Sequence, residues 1–267
     1  MIGPPTLVYV ASPSNSGSTL LDLLVASHSA VASVGPLKVF APAGGSDRRA
    51  QLRATPCMCG APTKDDCAFW RDLDHEVRAS VGCGVWELDL ASRDPGAFRE
   101  HNLAMLNAIA TVTGCTHVVE SSKSAARLAR LLACPGVEVR PVRLHRDPRG
   151  VVHSRSRRGH PWLRSALRYT HRTLEYRQVL RGVAHYRMSY EHLAQAPADA
   201  LGDLMPWLGL DLEPTQLDWT RHQHHLAAGN AMRFARRARI ELDRAWESEL
   251  SSFRKAVITL LTYPARD

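Results

Sequence analysis

A loop of small polar residues, SPSNSGST from Ser12 to Thr19, lies between the apolar run Thr6 to Ala11 and a series of leucines at helical spacing. Small residues leave backbone N–H groups accessible, and the helix that follows directs its positive dipole end at the loop. This pattern predicts an anion-binding loop, although taken alone it is equally typical of an ordinary turn and helix N-cap, where Ser and Thr are favoured. The nucleoside-triphosphate loop GxxxxGK[ST] has similar spacing, but Ser12 and Ser18 replace its first glycine and its lysine, which disfavours a kinase or an ATPase.

A second motif, LHRDPRGVVHSR from Leu144 to Arg155, places an arginine at the end of a predicted strand and a serine on the next helix. Arg146 and Ser154 lie eight positions apart, and together they could bind one phosphate through a bidentate guanidinium and a hydroxyl donor. The alternative is an ordinary helix start with Pro148 at its first position and arginines on a solvated face. Both interpretations can hold at once.

In this order, the two motifs resemble those of the sulfotransferase superfamily that uses 3′-phosphoadenosine 5′-phosphosulfate (PAPS), and in particular a bacterial branch. Further similarities lie in four segments: Cys57 to Gly60 with Cys67 to Trp70, Glu120 to Lys123, Tyr190 to Leu193, and Gly229 to Phe234. The resemblance implies an enzyme that moves a sulfuryl group from PAPS to a hydroxyl or amine of a small-molecule acceptor. The product nucleotide would be 3′-phosphoadenosine 5′-phosphate (PAP), and no metal would be required.

The resemblance also implies which residues hold the donor nucleotide. The 5′-phosphosulfate would lie on Asn15, Ser16, Gly17, Ser18 and Thr19. Arg146 and Ser154 would bind the 3′-phosphate, and Asn230 and Arg233 would add contacts to the nucleotide. Many relatives carry a lysine or arginine where this chain has Asn15, so another cation should stabilise the leaving phosphate, and Lys123 is the candidate.

Lys123, Glu120 and His28 are the candidate catalytic residues, since an amine, a carboxylate and an imidazole can each act as a base. Many relatives carry a glutamate where this chain has Pro36, so that base is missing. Lys123 could bind the sulfuryl oxygens as a cation, act as the base, or simply start a helix. Of these, Glu120 is more typical of a structural or capping carboxylate than of a base, and His28 is typical of an ordinary helix-end histidine.

Alternating strand and helix patterns predict a three-layer α/β sandwich with a central, mainly parallel sheet. We expect one domain over residues 1–267, with an irregular cysteine-containing insertion at about 44–93. This insertion and the segment Trp162 to Arg181 are the expected walls of the acceptor pocket. The segment Leu242 to Leu261 is predicted to be one helix.

The chain has 34 basic and 26 acidic residues and a formal net charge of +8, which favours anionic partners. No nucleic-acid-binding module accompanies the arginines, and no apolar run is long enough for a membrane. The absence of a basic, apolar leader predicts a cytoplasmic protein with reduced thiols. The sequence does not determine the acceptor or the oligomeric state.

Two metal hypotheses arise from the cysteines and histidines. Cys57, Cys59 and Cys67 could bind zinc with His75, but the usual CxxC pair is missing, which favours a structural role for the thiols. His222 to His225 is interpreted as a polar loop, in which His225 could help to position the Gly229 segment. No metal ligand is therefore predicted. The competing functions are a P-loop phosphotransferase or kinase and a non-catalytic nucleotide-binding protein.

Overall fold

A computed structural model describes residues 3–41, 45–235, 238 and 240–266. Within these ranges, five parallel strands form one sheet in the order β2-β3-β1-β4-β5. The strands are β1 (Thr6–Ala11), β2 (Val31–Ala32), β3 (His117–Glu120), β4 (Val139–His145) and β5 (Tyr186–Ser189). Because β1 lies between β3 and β4, the strand order switches at its carboxyl end, where open α/β sheets bind ligands.

Helices cover both faces of the sheet and extend beyond its edges. They are α1 (Ser18–Val25), α2 (Gly45–Arg53), α3 (Ala68–Val81), α4 (Pro95–Thr113), α5 (Ala125–Leu132), α6 (Pro148–Ser156), α7 (Trp162–Val179), α8 (Tyr190–Gln195), α9 (Pro197–Leu208), α10 (Trp246–Glu249) and α11 (Ser252–Thr262). Short 3-10 turns occupy Leu37–Phe40, Pro214–Leu217, Trp219–Arg221, Ala231–Phe234 and Tyr263–Ala265.

The side chains of β1 alternate between the two cores. Leu7, Tyr9 and Ala11 pack with α3, α4, α5 and α7, whereas Val8 and Val10 pack with α1, α8 and α9. This alternation follows from the two-residue period of a strand, and it explains why a strand that is buried on both faces is apolar throughout. The predicted three-layer α/β sandwich is confirmed.

Two segments differ from their sequence-based description. The predicted single helix Leu242 to Leu261 is wrong, because Leu250 is extended and Ser251 caps a new helix, α11, by accepting a bond from the Arg254 amide. The segment 44–93 is only partly irregular, since it contains α2 and α3; Gly44 itself lies outside the described residues. Its residues Trp70 and Trp86 pack into the same core as β1. In the described part of the chain, every helix is too short or too polar to span a bilayer.

Candidate active site

The two predicted phosphate-binding motifs are in direct contact. Asn15 Nδ2 donates to Ser154 Oγ at 3.0 Å, and the Arg146 guanidinium donates to the Asn15 carbonyl at 3.0 Å. These pairs are 139 and 131 positions apart in the chain. They meet because β1 and β4 are parallel neighbours, so the loop after β1 and the residues after β4 emerge at the same edge of the sheet.

The loop after β1 has two residues in a left-handed backbone conformation, which glycine and asparagine adopt more readily than other residues. Gly17 has φ +87°, and a Cβ atom at this position would come within 2.5 Å of the Tyr190 ring. Asn15 also has a left-handed backbone, with φ 69°. No side chain caps the start of α1, so the first amides of this helix have no intrahelical partner. The Ser16 hydroxyl is fully buried and has no hydrogen-bond partner among the described residues.

A cleft of about 390 Å³, here named the loop cleft, opens over this loop. Its walls are Ser14, Asn15, Gly17, Ser18, Thr19, Leu20, Pro36, Lys38, Val39, Arg48, Lys123, Arg155, Arg158, Ala228, Gly229, Asn230 and Met232. The Asn230 amide donates to Thr19 Oγ1 at 3.4 Å, which holds the Gly229 segment over the start of α1. Arg233, also predicted to bind the nucleotide, is not in these walls; its guanidinium lies 4.7 Å from the Phe234 ring.

A second cleft, here named the arginine cleft, adjoins the loop cleft through the shared wall residues Ser14, Lys38, Lys123 and Arg155. Its walls are Pro13, Ser14, Lys38, Lys123, Ser124, Val151, Arg155, Ser165, Arg168, Tyr169 and Arg172. The described residues that line the two clefts include no aspartate, glutamate or histidine. Helix α7, from the segment expected to face the acceptor, supplies one wall of the arginine cleft.

Two lysines lie where the clefts join. Burial lowers the pKa of Lys123, and the cations Lys38 and Arg158 add to this effect, whereas Asp22 opposes it. Lys38 is exposed at the mouth of the clefts, and partial desolvation lowers its pKa, with the cations Arg48 and Arg172 contributing. Lys123 has a positive φ of 55°, an uncommon backbone for a residue with a long side chain. The sequence alone does not point to Lys38, because no motif surrounds it.

Glu120 belongs to a buried network rather than to a cleft wall. Its side chain is fully buried and accepts two bonds from Arg127, at 2.7 Å from Nε and 3.0 Å from Nη2. Ser122 Oγ also donates to it. Arg127 in turn donates to Asn102 Oδ1 at 2.7 Å and to the Leu90 carbonyl. With every oxygen paired, Glu120 connects β3 to α5 and has no free face for a substrate.

His28 lies at the opposite end of α1 from the loop. Its Nδ1 accepts from the Ala30 amide, its Nε2 lies 2.9 Å from the Asp211 carbonyl, and Glu213 is 3.5 Å away. Its position follows from chain direction, since α1 starts at the carboxyl edge of the sheet and ends near the start of β2. The structure therefore gives His28 contacts at the edge of the sheet away from both clefts.

Asp22 is a buried carboxylate that sequence reasoning missed. Burial raises its pKa to about 6, opposed by a bond from Ser121 Oγ at 2.6 Å and by the charge of Lys123. It lies on α1 within the TLLDLL run, where a polar residue on a buried helical face was the available signal.

Arg146 is held by protein groups on both sides. It is only 6% exposed, and its Nη2 contacts Asp243 Oδ2 at 3.1 Å and the Asp243 carbonyl at 3.3 Å. The guanidinium also lies 4.3 Å from the Tyr190 ring. Arg146 thus joins the loop, α8 and the segment before α10, with Asp243 on its outer side.

The three cysteines Cys57, Cys59 and Cys67 lie together, but the histidine beside them is not His75. His75 is exposed next to Glu76, whereas His225 Nδ1 lies 3.4 Å from Cys57 Sγ. The four ligand atoms of Cys57, Cys59, Cys67 and His225 are all within 4.8 Å of one another.

The fold is that of a three-layer α/β protein, and its two predicted phosphate motifs meet at the carboxyl edge of the sheet. Three solved structures share this fold. The sulfotransferase domain from the curacin biosynthetic pathway has a TM-score of 0.60 and 16% identity, covering 97% of both chains. The sulfotransferase domain of the Synechococcus PCC 7002 olefin synthase has a TM-score of 0.61 and 16% identity, covering 100% of this chain and 97% of its own. Sulfotransferase STF9 from Mycobacterium avium has a TM-score of 0.51 and 14% identity, covering 100% of this chain and 78% of its own.

The chain therefore has the fold of the sulfotransferase superfamily, and the resemblance predicted from its motifs is confirmed at the level of the fold. No protein-family model matches the sequence, and no curated protein matches it.

Proposed function

We propose that this protein is a sulfotransferase that uses PAPS as its donor and a small molecule with a hydroxyl or amine as its acceptor. The observation that carries the proposal is the contact between the two motifs, in which Asn15 bonds Ser154 and Arg146 bonds the Asn15 carbonyl. This contact supports the proposal because it joins the loop predicted to bind a 5′-phosphosulfate to the serine and the arginine predicted to bind a 3′-phosphate. A nucleotide with phosphates at both positions would use both motifs, whereas ATP would use only one.

The loop cleft is the proposed donor site. The first amides of α1, the buried Ser16 region and the hydroxyls of Ser18 and Thr19 would bind the 5′-phosphosulfate. Asn230 would lie over it, since its backbone is already bonded to Thr19. When bound, PAPS supplies an activated sulfuryl group whose leaving group is the 5′-phosphate. Preformed donors and cations around that phosphate are the main way a protein can favour this displacement.

Lys123 is the proposed cation that replaces the basic residue missing at Asn15. It lies in the walls of both clefts, at the carboxyl end of β3 and next to the start of α1. A charge there would stabilise the negative charge that develops on the 5′-phosphate. Its strained backbone is consistent with a position that function constrains.

Lys38 is the proposed proton acceptor for the acceptor hydroxyl or amine. The cleft walls offer no carboxylate or imidazole among the described residues, and partial desolvation lowers the pKa of this amine. Its backbone amide donates to Ser122 Oγ at 3.0 Å, which ties it to the end of β3. The acceptor oxygen or nitrogen would bond to sulfur as the bond from sulfur to the 5′-phosphate breaks, while the acceptor proton moves to Lys38 Nζ.

The arginine cleft is the proposed acceptor site, and its charge favours an acceptor that carries an anionic group. Arg155, Arg168 and Arg172 line it together with the two lysines. Arg172 has an acidic partner close by, Glu175 at 2.7 Å, whereas Arg155 and Arg168 have none among the residues that the structure describes. An acceptor with a carboxylate or phosphate would therefore be attracted where a neutral one would not.

Binding measurements on the wild-type protein test the donor assignment. We expect PAP to bind at least tenfold more tightly than adenosine 5′-phosphate in calorimetry, and ATP with magnesium to bind no better than adenosine 5′-phosphate. Tighter binding of magnesium ATP would overturn the proposal in favour of a phosphotransferase. Equal binding of all three nucleotides would also contradict it.

Turnover separates an enzyme from a non-catalytic nucleotide-binding protein. The assay follows PAP release from PAPS with paired acceptors, each offered with and without a carboxylate or phosphate group. We expect turnover to be faster with the anionic member of each pair. PAP binding without turnover of any acceptor would favour the non-catalytic alternative. A cytoplasmic location stays a prediction from the sequence.

A further inference from the structure

Four metal-ligating side chains converge away from the two clefts. The cluster, here named the Cys3His cluster, consists of Cys57, Cys59, Cys67 and His225. Cys57 Sγ and Cys67 Sγ each lie 3.4 Å from His225 Nδ1, and Cys59 Sγ lies 3.5 Å from Cys67 Sγ. All four ligand atoms lie within 4.8 Å of one another.

The three separations of 3.4–3.5 Å are close to those of a tetrahedral zinc site, and the bound of 4.8 Å on the others requires only a small contraction around an ion. With Zn–S of about 2.3 Å and Zn–N of about 2.0–2.1 Å, ligand atoms in a tetrahedral site lie roughly 3.5–3.8 Å apart. Three thiolates and one imidazole are a ligand set that structural zinc sites commonly use. We propose that the Cys3His cluster binds one zinc ion, with four protein ligands and therefore a structural role.

The surrounding chain holds the ligands in place. A turn brings Cys57 and Cys59 together, with the Gly60 amide donating to the Cys57 carbonyl at 3.1 Å. Cys67 precedes α3, and its amide donates to the carbonyl of Lys64, a residue whose side chain is fully buried. On the far side, the His225 ring stacks on Phe69 with centroids 4.3 Å apart and planes 10° apart.

Neither simple thiol packing nor a disulfide accounts for the whole of this geometry. Packing of buried thiols is sufficient for Cys57 and Cys67, but it gives no reason for an imidazole nitrogen to face both sulfurs. A disulfide between Cys59 and Cys67 would use two of the four groups and leave His225 without a role. Zinc uses all four.

The site would connect the Cys-containing insertion to the loop cleft. His225 is 168 positions from Cys57, and it immediately precedes the segment that covers the phosphate loop. In that segment the Ala227 amide donates to the Val34 carbonyl at 2.8 Å, and the Asn230 amide donates to Thr19 Oγ1. Zinc would therefore fix the position of Asn230 through the backbone, without contacting the donor.

Metal content of the wild-type protein tests the proposal without any variant. The reduced protein is purified without chelators from zinc-supplemented cells, and zinc is measured by mass spectrometry against protein concentration. We expect about one zinc per chain. After metal removal, Co²⁺ should bind with the strong visible absorption of a tetrahedral site and a thiolate charge-transfer band. Failure of the reduced, folded protein to retain zinc or bind Co²⁺ would overturn the proposal.

Variants locate the ion. Cys59→Ser and His225→Ala should lose the tetrahedral cobalt spectrum, whereas His225→Cys should keep it with a stronger charge-transfer band. Cys83→Ser, which changes a half-buried thiol of the same insertion outside the cluster, is the matched control and should keep about one zinc. Full zinc content in Cys59→Ser and His225→Ala would contradict the assignment, as would a Cys59–Cys67 disulfide in the freshly isolated protein. Zinc content does not depend on nucleotide binding. A negative zinc result would therefore leave the proposed PAPS site untouched, and a negative nucleotide-binding result would leave the zinc proposal untouched.

Discussion

The end of β3 and the loop after β1 are neighbours, but their buried polar groups differ in whether they have hydrogen-bond partners within the protein. Around Glu120, the carboxylate, the Arg127 guanidinium and the Asn102 amide bond to one another in the interior. In the loop, the Ser12 and Ser16 hydroxyls lack partners among the described residues, and one oxygen of Asp22, further along α1, also lacks one. Fully paired groups hold a frame rigid, whereas groups without protein partners mark where a ligand could complete the structure.

Removing one member of the network around Glu120 tests whether its paired groups stabilise the fold, and it has the largest expected effect. Arg127→Met leaves Glu120 buried without its partner, which should lower the free energy of unfolding by about 3–5 kcal/mol. Urea unfolding measures this loss. The double variant Glu120→Gln with Arg127→Met should recover part of it. A loss below about 1 kcal/mol would mean that the pair is not structural.

Changing Lys123 tests the other side of this comparison, the loop and its cleft, because its role should be in turnover rather than in stability. Lys123→Met should slow PAP release from PAPS about 100- to 1,000-fold, the usual cost of losing one group that stabilises developing charge. Lys123→Arg keeps the charge and should retain much of the rate.

Lys38 gives the matched contrast. An arginine cannot accept a proton at ordinary pH, so Lys38→Arg and Lys38→Met should be similarly slow. If Lys123→Arg is as slow as Lys123→Met while Lys38→Arg is active, the two proposed roles are reversed.

The buried carboxylate of Asp22 predicts a pH dependence of the protein's stability. Its pKa is raised from 3.8 to about 6, so between these values the folded state holds a proton that the unfolded state has lost. The contribution of this group to stability therefore falls as pH rises through that window. At pH 8 the buried charge should cost up to about 3 kcal/mol.

The matching variant is Asp22→Asn, which should be more stable than the wild type at pH 8 and similar to it near pH 4. Urea unfolding at both values provides the measurement, with the exposed Asp203→Asn on α9 as the control. An equal difference between Asp22→Asn and wild type at the two pH values would mean that Asp22 does not titrate as described.

Local sequence patterns predicted most of the helices and strands, whereas the side-chain contacts of the site depend on residues far apart in the chain. The apolar run of β1 and the Asp147–Pro148 helix start were readable because their causes lie within a few residues. Helix α4 was missed although Asp94 caps it, Pro95 follows and Gly114 ends it.

Three features of the site depend on contacts across more than 80 positions, and no local pattern contains them. These are the Lys38–Ser122 bond, the Arg146–Asp243 pair and the approach of His225 to Cys57. The sequence supplied the loop, Ser154 and the candidate cation Lys123, but the roles of Lys38 and of the arginines in the arginine cleft required the fold.

The central claim is that Arg146 and Ser154 recognise a 3′-phosphate, and Asp243 makes this claim testable in a specific way. Asp243 pairs with Arg146 in this structure, and the guanidinium lowers the pKa of that carboxyl, although burial opposes this. A 3′-phosphate would have to replace the carboxylate. Asp243→Asn should therefore tighten PAP binding and leave adenosine 5′-phosphate binding unchanged.

The most direct measurement is the ratio of dissociation constants for adenosine 5′-phosphate and PAP, obtained by calorimetry on wild type, Arg146→Ala and Ser154→Ala. Both variants remove a contact to Asn15, because Arg146 bonds its carbonyl and Ser154 accepts from its side chain. We predict that the ratio falls toward one in both variants, because PAP binding weakens more than adenosine 5′-phosphate binding does. A ratio that stays at its wild-type value in both variants would contradict the account.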